Sequence, residues 1–145
     1  YAGYSADITR TFCESPSKRV SQVHKAVADA HNAIIKLLEP DLLVSDYIKK
    51  SDEIMLDTVM SLGLIESRGD TNGYRRYFPH AVSHGLGVDV HDSLGAPRYL
   101  RAGMVLTVEP GIYIPAEAVG VRIEDDILIT DTGRQNLSAM LSTDL

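Results

Sequence analysis

The sequence contains one cysteine, Cys13, and no tryptophan. A single cysteine excludes a disulfide bond within the chain, so a reducing compartment such as the cytoplasm is the simpler expectation. The chain also lacks both an apolar stretch approaching the roughly 18–20 residues that span a bilayer and the pattern of a signal peptide. Basic residues are fewer than acidic ones, 14 against 20, and the net charge of −6 disfavours nucleic acid and anionic membranes as partners.

The length of 145 residues, 44% of them hydrophobic, is enough to bury one core. The opening run YAGYSADITRTF (1–12) is rich in Tyr, Ile, Thr and Phe in rough alternation, which predicts a strand. This run has no initiator Met and no leading turn. We therefore expect that Tyr1 lies inside a longer gene product.

Two helices are predicted in the first half of the chain. The first begins at Ser17, ends at Pro40 and carries an apolar stripe made of Val20, Val23, Val27, Ala30, Ile34 and Leu37. The second begins at Ser45 as N-cap and continues to Gly63. Residues 67–77 are polar and contain Gly and Arg, so we expect a loop there and no helix after it.

The second half is rich in β-branched residues. The runs MVLTVEPGIYI (104–114) and VGVRIEDDILIT (119–130) are separated by a turn-like segment, residues 115–120, and predict an antiparallel pair. Residues 131–133 predict a further turn, and the tail through Asn136 is expected to fray. The order of strand, two helices and strands indicates an α+β domain.

Histidines are concentrated in the segment HAVSHGLGVDVHD (80–92). Any one of them alone is more often a surface or satisfied core residue than a ligand. His80 and His84 have the four-residue spacing of two helical metal ligands, but Glu does not follow His80, so the zinc-protease motif is absent. Gly85 and Gly87 disfavour a helix here and allow a close backbone approach.

Three acidic residues interrupt apolar, strand-like segments: Asp7, Glu109 and Glu124. A buried carboxylate is tolerable when it is paired or bound to metal. If the three met His84 in one place, they would repel one another unless cations neutralised them, and such oxygen-rich ligation suits Mn, Fe(II), Co or Zn. A metal-free cluster of structural ion pairs is the alternative.

Four runs in order, ADITRTF (6–12), HAVSHGLGVDVHD (80–92), GMVLTVEPGIYI (103–114) and GVRIEDDILIT (120–130), resemble the motifs of the aminopeptidase P and prolidase group of metallopeptidases. The resemblance implies the α+β pita-bread (creatinase/aminopeptidase) fold, in an incomplete copy that lacks its N-terminal strand and helices. Residues 1–145 would then be the C-terminal part of a metallopeptidase catalytic domain.

The same resemblance implies a ligand set. Asp7 and Glu124 would bridge two divalent ions, with Mn favoured and Co, Fe or Zn as alternatives, while His84 and Glu109 would complete the shell of one ion. A further aspartate of the family pattern would lie before Tyr1, so we expect the chain alone to bind metal weakly and to hydrolyse peptides poorly. A water molecule held between the ions would attack the peptide carbonyl.

Other roles follow from the resemblance as well. Glu109 would also shuttle the proton from the attacking water to the departing amine. His91 would polarise the scissile carbonyl, and His80 would line the pocket near proline. Tyr113 and Arg122 would orient the ligands.

The implied substrate is a peptide with proline in second position, and the full-length protein would be a homo-oligomer. Asp92 stands where methionine aminopeptidases of this fold have glutamate, and the retained ligands argue against a metal-free creatinase. Two alternatives stay open: a proline dipeptidase, and a non-catalytic relative that binds peptide or protein.

Overall fold

The computed structural model describes residues 2–145 and confirms the α+β class. Its helices are α1 (Lys18–Ile35), α2 (Val44–Ser61) and α3 (Thr71–Tyr77), and its strands are β1 (Val105–Val108), β2 (Gly111–Ile114), β3 (Val119–Arg122), β4 (Asp125–Thr130) and β5 (Gly133–Asn136). A 3₁₀ turn, Pro115–Glu117, connects β2 to β3. Tyr1, the first residue of the predicted N-terminal strand, lies outside the described residues.

The two long helices confirm the sequence prediction, with corrections at one helix end and one helix start. Helix α1 ends at Ile35 and not at Pro40, because the amides of Leu37 and Leu38 donate three residues back, to Ile34 and Ile35, in a tighter turn. Ser17 is the N-cap of α1, and its side chain accepts a hydrogen bond from the Val20 amide. Helix α2 starts one residue before Ser45, so the prediction of Ser45 as N-cap is wrong. The N-cap is Leu43, whose apolar side chain cannot cap and whose backbone instead pairs with Tyr99.

The predicted loop at residues 67–77 is partly wrong, because helix α3 occupies its second half. Asp70 caps this helix by accepting a hydrogen bond from the Gly73 amide. The aromatic side chains of Tyr74 and Phe78, four residues apart, are both buried. A one-sided stripe of two residues is too short to produce a helical period in the sequence.

The predicted antiparallel pairing of the two β-rich runs is confirmed, but each run is divided into two strands. One sheet has the order β1-β4-β5 and the other pairs β2 with β3. The divisions fall at Glu109–Pro110 and at Ile123–Glu124, between the strands of each run. Strand β5 pairs with β4 as far as Asn136, so the expected fraying there is not observed.

In residues 5–11 the predicted strand is reduced to a single bridge between Thr9 and Glu124. The segment contacts its neighbours on two sides. The Glu124 amide donates to the Thr9 carbonyl, and the Ser5 amide donates to the Gly87 carbonyl. On the far side of β1, residues 82–86 run antiparallel to it, since the Thr107 amide donates to the His84 carbonyl. Residues 5–11, residues 82–86, the end of β1 and the start of β4 therefore lie next to one another.

The core lies between the helices and the two sheets. Helix α1 packs on α2 and on β3, and α3 packs on β2. The buried positions of α1 recur at helical spacing and include Val23, Val27, Ala30 and Ile34, as predicted. None of the helices in residues 2–145 combines the length and apolar character needed to cross a membrane.

Candidate metal centre

His84 lies on the segment that pairs with β1, and its ring is oriented by the backbone. Its Nδ1 is 2.9 Å from the Gly85 carbonyl oxygen, which can only accept, so Nδ1 carries a proton. In the neutral ring, the lone pair is then on Nε2. Nε2 is 3.5 Å from Asp7 Oδ2 and 3.6 Å from Glu109 Oε1. The imidazole therefore presents its ligand atom to two of the predicted carboxylates.

Glu124 is held between two neighbouring segments and is almost fully buried, with 2% of its surface exposed. The register of β1 and β4 pairs Val108 with Asp125, so Glu109 directly follows and Glu124 directly precedes these strands at the same end of the sheet. On its other side the Thr9 hydroxyl donates to Glu124 Oε2 at 2.5 Å. One carboxylate oxygen is thus fixed by a protein donor, and the side chain has little freedom to turn away.

Two overlapping groups of possible metal ligands result. Asp7, His84 and His91 form one, and His84, Glu109 and Glu124 form the other, with ligand atoms in each group within 4.8 Å of one another. All four predicted metal ligands are therefore brought together. His91 also joins them, and its ring centroid lies 4.4 Å from that of His84.

Glu109 shows the electrostatic consequence of this crowding. Burial raises the pKa of its carboxyl to about 7, and the nearby charges of Glu124 and Asp7 act in the same direction. His84 and Arg122 oppose the rise without cancelling it. A divalent cation would offset both the desolvation and the repulsion, so the carboxylate-rich donor set fits one or more divalent ions better than it fits an empty pocket.

His80 and Tyr113 form a pair beside Glu109. His80 Nδ1 is 2.8 Å from the Ala81 carbonyl oxygen and carries the proton, so Nε2 accepts from the Tyr113 hydroxyl at 2.9 Å. Burial lowers the pKa of His80, which favours the neutral ring. His80 Nδ1 is 3.7 Å and Arg122 Nη1 is 3.8 Å from Glu109 Oε2. Of the two predicted orienting residues, Arg122 thus borders the Glu109 carboxylate, while Tyr113 is linked to it through His80.

The glycines of the histidine-rich segment allow the close backbone approach that the sequence indicated. A Cβ atom on Gly85 would lie 2.5 Å from the Asp92 carbonyl oxygen, and one on Gly87 would lie 2.3 Å from Asp92 Oδ2. Gly85 bridges to both Asp92 and Leu106. The small residues therefore allow the chain to fold back and bring His91 over His84.

Sequence reasoning missed three residues of this region: Thr9, Arg10 and Asp126. Asp126 accepts a hydrogen bond from the Asp7 amide through Oδ2, while its buried Oδ1 has no hydrogen-bond partner among the described residues. Burial and the charges of Asp7 and Glu124 raise the pKa of Asp126 to about 6. Thr9 and Arg10 lie in the run ADITRTF, but in a predicted strand their residue types indicate nothing beyond β propensity.

Known proteins that are similar to this chain are peptidases. The model of metallopeptidase family M24 matches residues 1–131. The chain is 37% identical to the Xaa-Pro aminopeptidase of Escherichia coli over 96% of its own length and 36% of that protein's length. It is 34% identical to the mitochondrial intermediate cleaving peptidase 55 of Arabidopsis thaliana over 99% of its length and 31% of that protein. The chain thus spans about a third of these curated relatives.

Solved structures share the fold. A Bacillus anthracis protein, provisionally described as an aminopeptidase P, superposes with a TM-score of 0.90 at 35% identity, over 99% of this chain and 34% of that one. Aminopeptidase P from Escherichia coli with the inhibitor Pro-Leu superposes with a TM-score of 0.86 at 34% identity, over 99% of this chain and 37% of that one. The expectation of a pita-bread fold is therefore confirmed.

Proposed function

The chain belongs to metallopeptidase family M24, and from that premise we propose that it forms the metal centre of an aminopeptidase that removes the first residue from peptides with proline in second position. The observation that carries the proposal is the position of His84 Nε2, 3.5 Å from Asp7 and 3.6 Å from Glu109. The same imidazole belongs to a second group of possible ligands that includes buried Glu124.

Asp7, His84, Glu109 and Glu124 would hold the divalent ions. When bound, such ions polarise a peptide carbonyl and lower the pKa of water, so that the water loses a proton more readily and becomes a stronger nucleophile toward the carbonyl. The hydrogen bond from Thr9 fixes Glu124 Oε2. His84 Nδ1 donates a hydrogen bond to the Gly85 carbonyl, which leaves the lone pair of Nε2 free to bind an ion. These contacts support a site that is organised before ions arrive.

Glu109 is the proposed proton carrier. A carboxylate that faces the attacking water can accept its proton and release it to the departing group, and the side chain of Glu109 lies among the ligand groups with 13% of its surface exposed. In the proposed reaction one oxygen of Glu109 accepts the proton of the attacking water and passes it to the departing amine. His80 and Arg122, 3.7 and 3.8 Å from Oε2, keep that oxygen facing the pocket.

His91 is the proposed donor to the peptide carbonyl oxygen. It is exposed, beside His84, and its ring can reach a substrate that approaches the ligand groups. A donor at this place stabilises the negative charge that develops on the carbonyl oxygen in the transition state. His80 and Tyr113, whose rings lie edge to face and are joined by a hydrogen bond, would border the proline side of the pocket.

Several finer assignments belong to the same proposal. The oxygen-rich donor set favours Mn as the ion, with Co, Fe or Zn as alternatives. The single cysteine favours the cytoplasm. Residues 1–145 would be the C-terminal part of the catalytic domain, in a protein that forms a homo-oligomer. Inductively coupled plasma analysis of the purified protein and light scattering would test the ion and the oligomeric state.

The proposed function is tested with the protein expressed from its full reading frame. Release of the first residue is measured for a pair of tetrapeptides that differ in having proline or alanine in second position, with Mn²⁺ and after chelation. We expect cleavage of the proline peptide alone, its loss on chelation, and a decrease of at least about 100-fold for Glu109→Gln.

Two controls sharpen the test. Glu66→Gln changes an exposed glutamate of the loop before α3 and is expected to leave turnover unchanged. A free dipeptide that ends in proline distinguishes the dipeptidase alternative, which would cleave it in preference to the tetrapeptide. Equal cleavage of the alanine peptide, or activity that survives chelation, would contradict the proposal.

A further inference from the structure

Arg10 is almost buried, with 9% of its side chain exposed, beside the proposed metal centre. A guanidinium carries five N–H donors in a fixed plane. All five are used here: Nη1 donates to the carbonyls of Thr9 (2.9 Å) and Glu124 (2.7 Å), Nη2 to Asp125 Oδ1 (2.6 Å) and the Leu141 carbonyl (3.0 Å), and Nε to the Ser142 carbonyl (2.8 Å). The group therefore joins three separate parts of the chain.

Two of these bonds act directly on the backbone that carries metal ligands. Nη1 lies between the carbonyl of Thr9, two residues after Asp7, and the carbonyl of Glu124 itself. The same two residues are joined by the Glu124 amide and by the Thr9 hydroxyl. Arg10 thus adds a third link between the segment that carries Asp7 and the backbone of Glu124, just before β4.

The other bonds fix the orientation of the guanidinium. Asp125 accepts from Arg10 through Oδ1 and from the Asn136 amide group through Oδ2, so β5 holds the carboxylate in place. His31 on α1 also faces Asp125, 3.4 Å from Oδ2. The carbonyls of Leu141 and Ser142 complete the plane from the C-terminal tail. These acceptors lie around the guanidinium and consequently restrict its rotation.

We propose that Arg10 is a positioning residue for the metal centre, which sets metal affinity by fixing the distance between the Asp7 segment and Glu124. This inference rests on the proposed function, because it needs those residues to bind ions. Lysine cannot replace Arg10, since an ammonium has three donors on one atom and cannot span five acceptors in a plane. Loss of a residue that orients metal ligands typically costs about 10- to 100-fold in affinity.

The test compares Arg10→Lys and Arg10→Gln with Arg134→Lys and Arg134→Gln. Arg134 is a matched control, because its guanidinium donates to the Leu38 carbonyl at 2.9 Å and lies outside the metal centre. Mn²⁺ affinity is measured by calorimetry and the site geometry by the visible absorption of bound Co²⁺, both on folded protein that is expressed from its full reading frame and kept below its unfolding transition. Arg10→Lys keeps the charge and serves even where the glutamine variant does not fold.

We expect both Arg10 variants to raise the Kd for Mn²⁺ by about 10-fold or more and to change the Co²⁺ spectrum, while both Arg134 variants keep the wild-type values. If Arg10 only stabilises the fold, Arg10→Lys will unfold more easily but bind Mn²⁺ with unchanged affinity, and the inference is overturned. Wild-type protein that binds no Mn²⁺ would instead overturn the proposed function, and the inference with it.

Discussion

Glu109 is a single carboxyl group on which burial and several charges act together. Burial and the charges of Glu124 and Asp7 raise its pKa to about 7, against opposing effects of His84 and Arg122. In the metal-free protein, the folded state therefore holds this proton more tightly than the unfolded chain does. Such a group stabilises the fold at low pH, and its contribution is lost as the pH rises through the folded-state pKa.

This gives a pH-dependent prediction for Glu109→Gln. Without metal, deprotonation of Glu109 between pH 4.5 and 7 should cost the wild-type protein roughly 1–3 kcal/mol of unfolding free energy, because a pKa difference of one between the folded and unfolded states corresponds to about 1.4 kcal/mol. The glutamine variant cannot titrate, so its advantage over wild type should be larger at pH 8 than at pH 5. Urea unfolding in the presence of a chelator, at both pH values, measures the difference.

Glu66→Gln is the matched control, since this exposed glutamate should give the same difference at both pH values. A stability gap between Glu109→Gln and wild type that does not change with pH would show that Glu109 is already ionised at pH 5. Asp126, whose pKa is raised to about 6, contributes in the same direction in both proteins and cancels in the comparison.

At the residue scale, the sequence identified candidate ligands and the family resemblance implied that they meet, but neither indicated which residues position them. Asp7, Glu109 and Glu124 were identifiable because an acid in an apolar strand is an exception that needs a reason. Thr9 and Arg10 make no such exception, since threonine suits any strand and arginine suits any surface. Their contacts to Glu124 and Asp125 span more than 110 residues of sequence, and pattern alone does not reveal a pairing at that separation.

At the scale of elements, the sequence predicts a helix correctly where apolar residues recur on one face. It predicts an element incorrectly where the boundary depends on contacts between residues far apart in sequence. Helix α1 has a long apolar stripe and a side-chain cap, and both were visible. The start of α2 was misplaced because Leu43 is fixed by its bridge to Tyr99, a contact between distant parts of the chain. Residues 5–11 have strand composition, but ordinary pairing is limited to one bridge because the side chains of Arg10 and Thr11 take up the neighbouring backbone groups.

The two helix starts make a paired prediction. Ser17→Ala removes the oxygen that accepts from the Val20 amide, so it should lower the unfolding free energy by about 1 kcal/mol. Ser45→Ala lies inside α2 and is exposed, where alanine is the better helix former, so it should cause no loss. Urea unfolding followed by far-ultraviolet circular dichroism measures both. An equal loss in the two variants would contradict the helix boundaries.

For the molecule as a whole, the proposed ligands come from four segments, at positions 7, 84, 109 and 124, that surround one place in the fold. Ions bound there would connect the first segment, the histidine-rich segment and the ends of β1 and β4. An ion that binds the folded chain and not the unfolded one stabilises the fold according to its concentration relative to Kd. Stability of the entire chain thus reports on occupancy of the site.

Metal binding should therefore raise the melting temperature, and Glu124→Gln should remove most of that increase. At a Mn²⁺ concentration 100 times Kd, binding contributes about 2.7 kcal/mol, which for a chain of this size is on the order of 10 °C. The variant keeps the shape of Glu124 and its contact with Thr9 but removes the negative charge that an ion requires. Differential scanning calorimetry with and without Mn²⁺ measures both proteins. If Glu124 serves only a structural pair, the variant will melt lower than wild type without metal, and Mn²⁺ will shift the two proteins equally.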